Sequence, residues 1–176
     1  MTGLGEHIAL VTIIILTGSA QELIITSGGE NIAPVPIENQ IMAQLSEILS
    51  NAMVVGDQRK HLSVILALKT QTELVGSEGP SDLLHPDVVK FLQKHDCSVR
   101  TVEDVVVERN PILEQIITEG LERANRAAQS RAHRVHKFLI APNEFSIGTG
   151  ELTPTMKLKR HFILKKYEKD IDRLYD

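Results

Sequence analysis

Two apolar segments separated by a short polar turn set the strongest constraint on how this chain can fold. The segments NAMVVG (residues 51–56) and HLSVILAL (residues 61–68) are rich in aliphatic and β-branched side chains, and only DQRK lies between them. Such side chains fit the pleated surface of a strand, and a short polar connection between two such segments is typical of a hairpin. The sequence therefore predicts two antiparallel strands joined by this turn.

Helical and further extended segments surround the predicted hairpin. A helix should begin near Pro36, because proline at the first turn sacrifices no hydrogen bond. Its apolar positions recur at spacings of four and three, which describes one buried face: Ile37, Ile41, Leu45 and Ile48. The other predicted elements are helices over residues 86–92, 111–131 and 161–175 and strands over residues 22–26 and 137–142. This interleaved order predicts an α+β fold, with a small, mostly antiparallel sheet flanked by helices.

Length and composition narrow the classes of function. With 176 residues the chain has the size of one ordinary domain. A net charge of -4 gives no overall reason to expect a nucleic acid or an anionic membrane as partner. The four Phe and two Tyr are too scattered to form a platform on which bases stack. The single Cys97 cannot form an internal disulfide, which suits a reducing compartment.

The apolar run IALVTIIIL, residues 8–16, raises the question of a membrane or targeting segment. It is too short to span a bilayer, which takes about 20 apolar residues. It also lacks the basic start of a signal peptide. Because residues 12–15 are all β-branched, we interpret the run as a strand. A segment that contacts a membrane remains the alternative.

The sequence contains few motifs that would support catalysis or metal binding by this chain alone. The sequence lacks the Gly-Lys-Ser/Thr phosphate loop, the Gly-x-Ser-x-Gly elbow and the Cys-x-x-Cys pair of zinc sites. His133 and His136 lie three apart on a predicted helix, but no third ligand accompanies them. We therefore predict no metal site. Gly28 and Gly29 suit a tight turn better than a phosphate site, because the helix that should follow a phosphate loop is missing.

A cluster of cations stands near the C-terminus, in the stretch ELTPTMKLKR. Lys157, Lys159 and Arg160 occupy three of four consecutive positions, just before an amphipathic helix. A charged run of this kind is most often solvated surface. Whether it does more depends on the segments that accompany it.

Two long segments resemble two motifs of one enzyme superfamily and occur in the same order as in that superfamily. The segment GSAQELIITSGGENIAPVPIE, residues 18–38, resembles the one that links the two domains of adenylate-forming enzymes and opens their small C-terminal domain. The segment TPTMKLKR, residues 153–160, resembles the C-terminal lysine motif of the same superfamily. Together with LSNAMVVGD, residues 49–57, these segments are most similar in sequence to the bubblegum group of long-chain fatty-acid CoA ligases. The similarity runs from about residue 17 to the C-terminus.

The resemblance implies a domain organisation and a reaction. Residues 18–176 would form the C-terminal lid domain, residues 1–17 an atypical strand-like segment, and the large ATP-binding domain would be absent from this chain. In such ligases a fatty carboxylate joins the α-phosphate of ATP and pyrophosphate leaves. Coenzyme A then displaces AMP to give the thioester.

The lysine motif implies a catalytic residue. Lys157 matches the mobile lysine that reaches into the adenylate site, where a fixed cation between two anionic groups stabilises the transition state. Lys159 and Arg160 are expected to serve as domain surface or interdomain contacts.

The first motif implies a second group of site residues. The turn of Ser27, Gly28, Gly29, Glu30 and Asn31 is expected to border the channel for coenzyme A. Glycine is suitable there because a Cβ would narrow the path of a thiol-bearing arm. A simple hairpin turn remains the alternative. Gln21 stands at the hinge position, where relatives carry a charged residue.

The resemblance also sets the expected substrates and partners. ATP with Mg²⁺ and coenzyme A would be substrates of the complete enzyme, and none should bind this chain tightly. The partner would be a large N-terminal adenylation domain, in cis or in trans, and we expect the chain alone to be inactive. We expect a cytoplasmic protein, with peripheral attachment at the endoplasmic reticulum membrane as an alternative. Two other functions stay open, namely a noncatalytic interaction protein that retains the lid fold and a small membrane-associated protein.

Overall fold

A three-stranded sheet with helices on both faces forms the body of the domain. The computed structural model describes residues 23–71 and 81–176. The helices are α1 (Pro34–Gln44), α2 (Pro86–Gln93), α3 (Val102–Glu108), α4 (Pro111–Asn125), α5 (Arg160–Lys166) and α6 (Glu168–Arg173). The strands are β1 (Ile24–Ile25), β2 (Asn31–Ile32), β3 (Leu49–Val55), β4 (Leu62–Leu68) and β5 (Val135–Ile140). A 3₁₀ turn, Arg131–His133, precedes β5. This arrangement confirms the predicted α+β class.

The strand order of the main sheet is β3-β4-β5, and β1 pairs with β2 in a separate two-stranded sheet. β3 and β4 are antiparallel, with Val54 opposite Val64, which confirms the predicted hairpin. β5 is parallel to β4. The three-stranded sheet is therefore mixed, and two of the three described strand pairs are antiparallel, in agreement with the predicted mostly antiparallel sheet. The chain crosses through α2, α3 and α4 between β4 and β5, and such a crossover is what allows two strands to run in the same direction.

Side chains of the hairpin alternate between two cores. All seven residues of β4 are buried. Val64, Leu66 and Leu68 belong to one apolar cluster, whereas Ile65 and Ala67 belong to another. Because successive residues of a strand point to opposite faces, a helical layer must cover each side of the sheet.

The larger core lies between the sheet and helices α1 to α4. Ile41 and Leu45 of the predicted helical face are buried there, together with Leu113 and Ile117 of α4. α1 and α4 pack closely at Gly120, where an added Cβ would lie 2.3 Å from a methyl carbon of Leu45. A side chain at position 120 would therefore force the buried Leu45 side chain to move.

The smaller core lies on the opposite face, under the C-terminal helices. Ile163, Tyr167 and Ile171 pack there against Met53 and Ile65 of the sheet. The single helix predicted over residues 161–175 is wrong in one respect, because Tyr167, at φ −106° and ψ 16°, ends α5 and separates it from α6. Both short helices still present their apolar residues to the same core.

The crossover differs from prediction at two places. The helix expected over residues 111–131 ends at Asn125, whose side chain accepts from the backbone N of Val135 (2.9 Å) and donates to its carbonyl O (2.8 Å). These bonds fix the beginning of β5. Helix α3 was not predicted at all, although Thr101 supplies its N-cap by accepting from the N–H of Asp104 at 3.0 Å. Seven residues are too few to give a clear helical repeat.

The two histidines expected on one helix lie in different elements. His133 belongs to the 3₁₀ turn and its Nδ1 lies 2.9 Å from the Ser130 hydroxyl. His136 belongs to β5, and its ring lies beside that of His61 with the two planes tilted by 57°. Within residues 23–71 and 81–176 no group of three or more potential ligands could hold a metal ion. In the same part of the chain, no helix combines the length and the hydrophobicity needed to cross a bilayer. Gln21 and residues 1–17 lie outside the described residues.

Candidate functional site

Lys157 lies on a short hairpin, residues 151–159, which we call the Lys157 hairpin. Leu152 and Leu158 form an isolated antiparallel bridge across it. At its tip Thr153 donates its N–H to the Lys157 carbonyl at 2.8 Å, and its hydroxyl accepts from the Lys157 N–H at 3.0 Å. Met156 adopts a left-handed backbone, at φ +61°, which completes the turn. The backbone of Lys157 is thus defined by the turn itself.

The side chain of Lys157 is exposed. Across residues 23–71 and 81–176, its ammonium group has no ion-pair partner. Lys159 is also exposed, but its backbone N–H donates to the Glu151 carbonyl at 2.7 Å and so closes the base of the hairpin. A lysine that is exposed and unpaired can deliver its charge to a group outside the domain.

A buried carboxylate holds the first end of the Lys157 hairpin. Glu151 is fully buried, and its Oε1 accepts from Lys166 Nζ of α5 at 2.5 Å. Its Oε2 accepts from the Thr149 hydroxyl. Burial alone would raise the pKa of Glu151, but the hydrogen bonds from Lys166 and Thr149 outweigh it and lower the pKa below its usual value. Glu151 is therefore ionised at neutral pH.

A second buried carboxylate holds the other end, where the hairpin enters α5. Arg160 donates from Nη1 to Glu38 Oε1 at 2.8 Å and from Nη2 to Glu38 Oε2 at 2.6 Å. Glu38 Oε1 also accepts from the backbone N–H of Val54 at 2.8 Å. The side chains of Arg160 and Glu38 are only 16% and 8% exposed. One carboxylate thus joins α1, the edge strand β3 and the start of α5.

The position of Arg160 corrects one expectation. We expected Arg160 at the domain surface or in an interdomain contact, but its guanidinium group is paired inside the domain. The partner, Glu38, is 122 positions away in sequence, and nothing local to either residue signals the pair. Its bidentate geometry explains why arginine occupies this position, since a lysine offers no planar fork.

The residues SGGEN, from Ser27 to Asn31, comprise most of the turn between β1 and β2 together with the first residue of β2, and we call them the SGGEN turn. All five residues are exposed: Ser27, Gly28, Gly29, Glu30 and Asn31. The Gly29 N–H donates to the Thr26 carbonyl at 2.9 Å, and Gly29 has φ +81°. That conformation alone favours glycine at this position. At Gly28 an added Cβ would meet only Thr26 Oγ1, at 3.8 Å.

The SGGEN turn rests on the turn between β3 and β4. Ser27 donates its N–H to the Arg59 carbonyl at 2.9 Å, and Gln58 donates its N–H to the Ile25 carbonyl at 2.7 Å. The carboxylate of Asp57 accepts from the Ile25 N–H at 3.0 Å. Arg59 in turn forms an ion pair with Asp172 of α6. These bonds fix the small sheet on the domain mainly through backbone groups.

Residues that flank the two candidate regions border one cavity. A cavity of about 190 Å³ is lined by Leu23 and Ile24 at the base of the β1–β2 hairpin and by Arg160 and His161 at the exit of the Lys157 hairpin. The structure therefore places the base of the β1–β2 hairpin and the end of the Lys157 hairpin on the same side of the domain. Their tips, at Gly29 and Lys157, are both exposed.

Comparison with known proteins gives a consistent picture. Residues 21–109 match the family model described as the AMP-binding enzyme C-terminal domain. The chain is 45% identical over 160 residues to the long-chain-fatty-acid CoA ligase ACSBG1 of Mus musculus, in an alignment that covers 91% of this chain and 22% of that protein. It is 39% identical to the human ligase ACSBG2, of which it covers 24%. The chain thus spans less than a quarter of the length of these relatives.

Solved structures share the fold at low sequence identity. The adenylation domain of a carboxylate reductase from Mycobacterium chelonae superposes with a TM-score of 0.60 at 15% identity, over 87% of this chain and 19% of that one. The corresponding domain from Segniliparus rugosus, solved in complex with AMP and a co-purified carboxylic acid, gives a TM-score of 0.59 at 17% identity, over 87% of this chain and 19% of that one. These superpositions confirm the fold of the domain.

Proposed function

This chain belongs to the family of AMP-binding enzyme C-terminal domains, and we propose that it acts as the lid of a long-chain fatty-acid CoA ligase. The identity of 39% to 45% with ligases of that name supports the proposal. Because the chain covers 22% of the mouse relative, the remaining catalytic parts would come from a large N-terminal domain, in cis or in trans.

The proposed chemistry begins with two anionic reactants. A fatty carboxylate oxygen attacks the α-phosphorus of ATP, the bond to pyrophosphate breaks, and acyl-adenylate forms. Negative charge accumulates between the reacting groups, so a fixed cation lowers the energy of the transition state. The observation that carries the proposal is the Lys157 ammonium group, exposed and unpaired at the tip of a hairpin with two buried ends. We assign this cation to the adenylation step.

The second step forms the thioester. The coenzyme A thiolate attacks the acyl carbon, and the bond to AMP breaks. We assign the SGGEN turn to the path of the coenzyme A arm, because its tip is exposed and carries two glycines without side chains. ATP, Mg²⁺ and coenzyme A would then bind mainly to the large domain, and the chain alone would hold none of them tightly. We also propose a cytoplasmic setting, in keeping with those substrates.

An activity assay with a supplied large domain tests the proposal. The chain would be fused to, and separately mixed with, the part of mouse ACSBG1 that precedes the aligned region, and acyl-CoA formation would be measured. We expect no product from the chain alone and clear product from the fusion. Lys157→Ala should lower the rate by about 100-fold, the typical loss when one transition-state electrostatic contact is removed.

Lys159→Ala is the matched control, because Lys159 is also exposed and lies two positions away. It should retain most of the activity. If the fusion is inactive, or if Lys157→Ala and Lys159→Ala behave alike, the ligase assignment of Lys157 is wrong. An inactive fusion would then favour the alternative of a noncatalytic binding protein that retains this fold.

A further inference from the structure

The apolar contacts of the Lys157 hairpin lie at its base and not at its tip. Leu152 is buried in the smaller core and Leu158 packs against that core, whereas the tip residues Thr155, Met156 and Lys157 are exposed. Short exposed hairpins of this kind are weakly stable unless other contacts fix them. The position of the tip must therefore depend on how the two ends are held.

Each end is held by a buried carboxylate that contacts a different part of the core. At the first end Glu151 accepts from Lys166 Nζ at 2.5 Å and from the Thr149 hydroxyl. At the second end Glu38 accepts two bonds from Arg160, at 2.8 and 2.6 Å. Lys166 and Arg160 both belong to α5, so one helix links the two ion pairs.

Burial of these charges is poorly explained by stability alone. A buried ion pair often contributes no more than apolar side chains of similar volume, because removing both charges from water costs most of the Coulomb energy. What such a pair does provide is a fixed geometry, since a bidentate bond fits only one relative placement of its partners. The geometry fixed here is the placement of the hairpin on α5 and β3.

We propose that Glu38 and Glu151 are positioning residues, which hold the Lys157 hairpin in one placement and so fix where the Lys157 ammonium group is presented. Neither carboxylate has to contact a substrate for this role. This positioning role depends on the proposed function in one respect only, namely the adenylation step that the Lys157 ammonium group would then assist. Misplacement of a reacting group by about 1 Å can cost about 100-fold in rate, so loosening either end should matter to adenylation.

Limited proteolysis of the full 176-residue chain tests the holding role without any catalysis. Trypsin cleaves after lysine and arginine, and cleavage needs a locally mobile backbone. In Glu151→Gln and in Glu38→Gln, cleavage after Lys157 should become at least about tenfold faster, because each variant removes a charged partner while keeping the side-chain length. Cleavage after Arg109, an exposed site in the crossover, should not change.

Two further variants keep this test decisive. Asp170→Asn removes a carboxylate from an exposed ion pair with Arg173 of α6 and should leave the cleavage rate after Lys157 unchanged. If Glu151→Gln fails to fold, Thr149→Val removes one hydrogen bond to Glu151 and keeps the ion pair, so a smaller increase of about threefold is expected. Unchanged cleavage after Lys157 in the folded glutamate variants would overturn the proposal. An equal increase at Arg109 would also overturn it, because that result indicates general unfolding.

The kinetic arm uses the same variants in the fusion with the mouse large domain. Adenylation would be followed by exchange of labelled pyrophosphate into ATP, and thioester formation by reaction of presynthesised acyl-adenylate with coenzyme A. Glu38→Gln and Glu151→Gln should lower the exchange kcat by about tenfold or more, with the KM for ATP and the thioester rate within about twofold of wild type. An equal loss in both steps would contradict a positioning role.

Failure of the two proposals can be told apart. If Lys157→Ala leaves pyrophosphate exchange unchanged, the proposed catalytic role of Lys157 fails, and the proteolysis result alone decides whether Glu38 and Glu151 hold the hairpin. If Lys157→Ala abolishes exchange but neither glutamine variant affects it, the proposed function stands and the positioning role is overturned.

Discussion

The Lys157 hairpin and the SGGEN turn are both short exposed turns on the same side of the domain, but they are held in opposite ways. Buried charged side chains at Glu38 and Glu151 fix the ends of the first. Backbone hydrogen bonds to the β3–β4 turn fix the second, with the left-handed conformation of Gly29 at its tip. Two exposed turns of similar size can therefore differ completely in which substitutions they tolerate.

The difference matters for how each turn could serve a reaction. A cation that must meet developing charge has to be placed accurately, and side-chain ion pairs from the core provide that accuracy. A turn that borders the path of the coenzyme A arm needs only a backbone that is small and fixed in position. Hydrogen bonds between main-chain groups fix it. The comparison predicts long-range sensitivity for the Lys157 hairpin and local sensitivity for the SGGEN turn.

Loss of Arg160 should give the largest effect. Arg160→Met leaves the Glu38 carboxylate buried without a cationic partner, and breaking a buried pair in this way costs about 3–5 kcal/mol. Urea denaturation of the folded chain would measure the change in the free energy of unfolding. The double variant Glu38→Gln/Arg160→Met should recover part of the loss, because the amide oxygen of the introduced glutamine would still accept from the Val54 N–H without carrying a buried charge.

An exposed arginine in the same C-terminal region provides the control. Arg173 pairs with Asp170, but its side chain is 74% exposed. Arg173→Met should cost less than about 1 kcal/mol, as is usual for surface ion pairs. Equal losses for the two arginine variants would mean that the buried pair of Arg160 with Glu38 supports the Lys157 hairpin no more than a surface ion pair would.

Much of this arrangement could be predicted from sequence. The aliphatic and β-branched content of β3 and β4 predicted the hairpin, and the spacing of Ile41 and Leu45 predicted the buried face of the helix. The two long motifs identified the family, which the match over residues 21–109 confirms. The assignments of Lys157, Gln21 and the SGGEN turn to function remain predictions.

The contacts that hold the site could not be predicted in the same way. Glu38 looks like an exposed helix residue, and only the approach of β3 and α5 in the folded domain makes it a buried partner of Arg160. Glu151 likewise becomes buried through Lys166, 15 positions later. The direction of β5 depends on a crossover that contains the unpredicted helix α3. Pairing between distant segments leaves no periodic signal in either of them.

Substitution of the two glycines of the SGGEN turn tests the same comparison, with a smaller expected effect on stability. Gly29→Ala places a Cβ on a residue at φ +81° and should cost about 1–2 kcal/mol in the free energy of unfolding. Gly28→Ala should cost less than about 0.5 kcal/mol, because its Cβ meets only ordinary contact and its φ is not in the left-handed region. Denaturation of both variants under identical conditions would measure the difference.

The same pair separates a structural turn from a coenzyme A path. If the turn borders the path of the coenzyme A arm, Gly28→Ala should slow thioester formation in the fusion by about tenfold or more while leaving stability and pyrophosphate exchange unchanged. If the turn is only a hairpin connection, Gly28→Ala should be silent in every assay and Gly29→Ala should affect stability alone. The second pattern would remove the SGGEN turn from the proposed mechanism.

The smallest expected effect is on the pH dependence of stability, which should differ between the two turns. Burial first, and then the nearby charges of His136, Lys137 and Lys60, lower the pKa of His61, which follows the β3–β4 turn beneath SGGEN. The folded state thus disfavours protonated His61, and stability should fall as the pH drops below 6.5, the ordinary pKa of histidine. The carboxyl pKa of Glu151 is lowered, so the Lys157 hairpin should lose support only below the ordinary carboxyl pKa of 4.5.

His61→Phe tests this separation, because it keeps a ring beside Tyr175, now 4.9 Å away between ring centroids, and removes the titration. Between pH 7.5 and 5.5, wild type should lose under about 1 kcal/mol of stability, and the variant should lose measurably less. Trypsin cleavage after Lys157, expressed relative to cleavage after Arg109 so that the pH dependence of the protease cancels, should not change over that range, since Glu151 stays ionised throughout. A higher rate at Lys157 relative to Arg109 at pH 5.5, in both proteins, would show that the two turns share one pH-sensitive support, which contradicts the division between side-chain and backbone fixation.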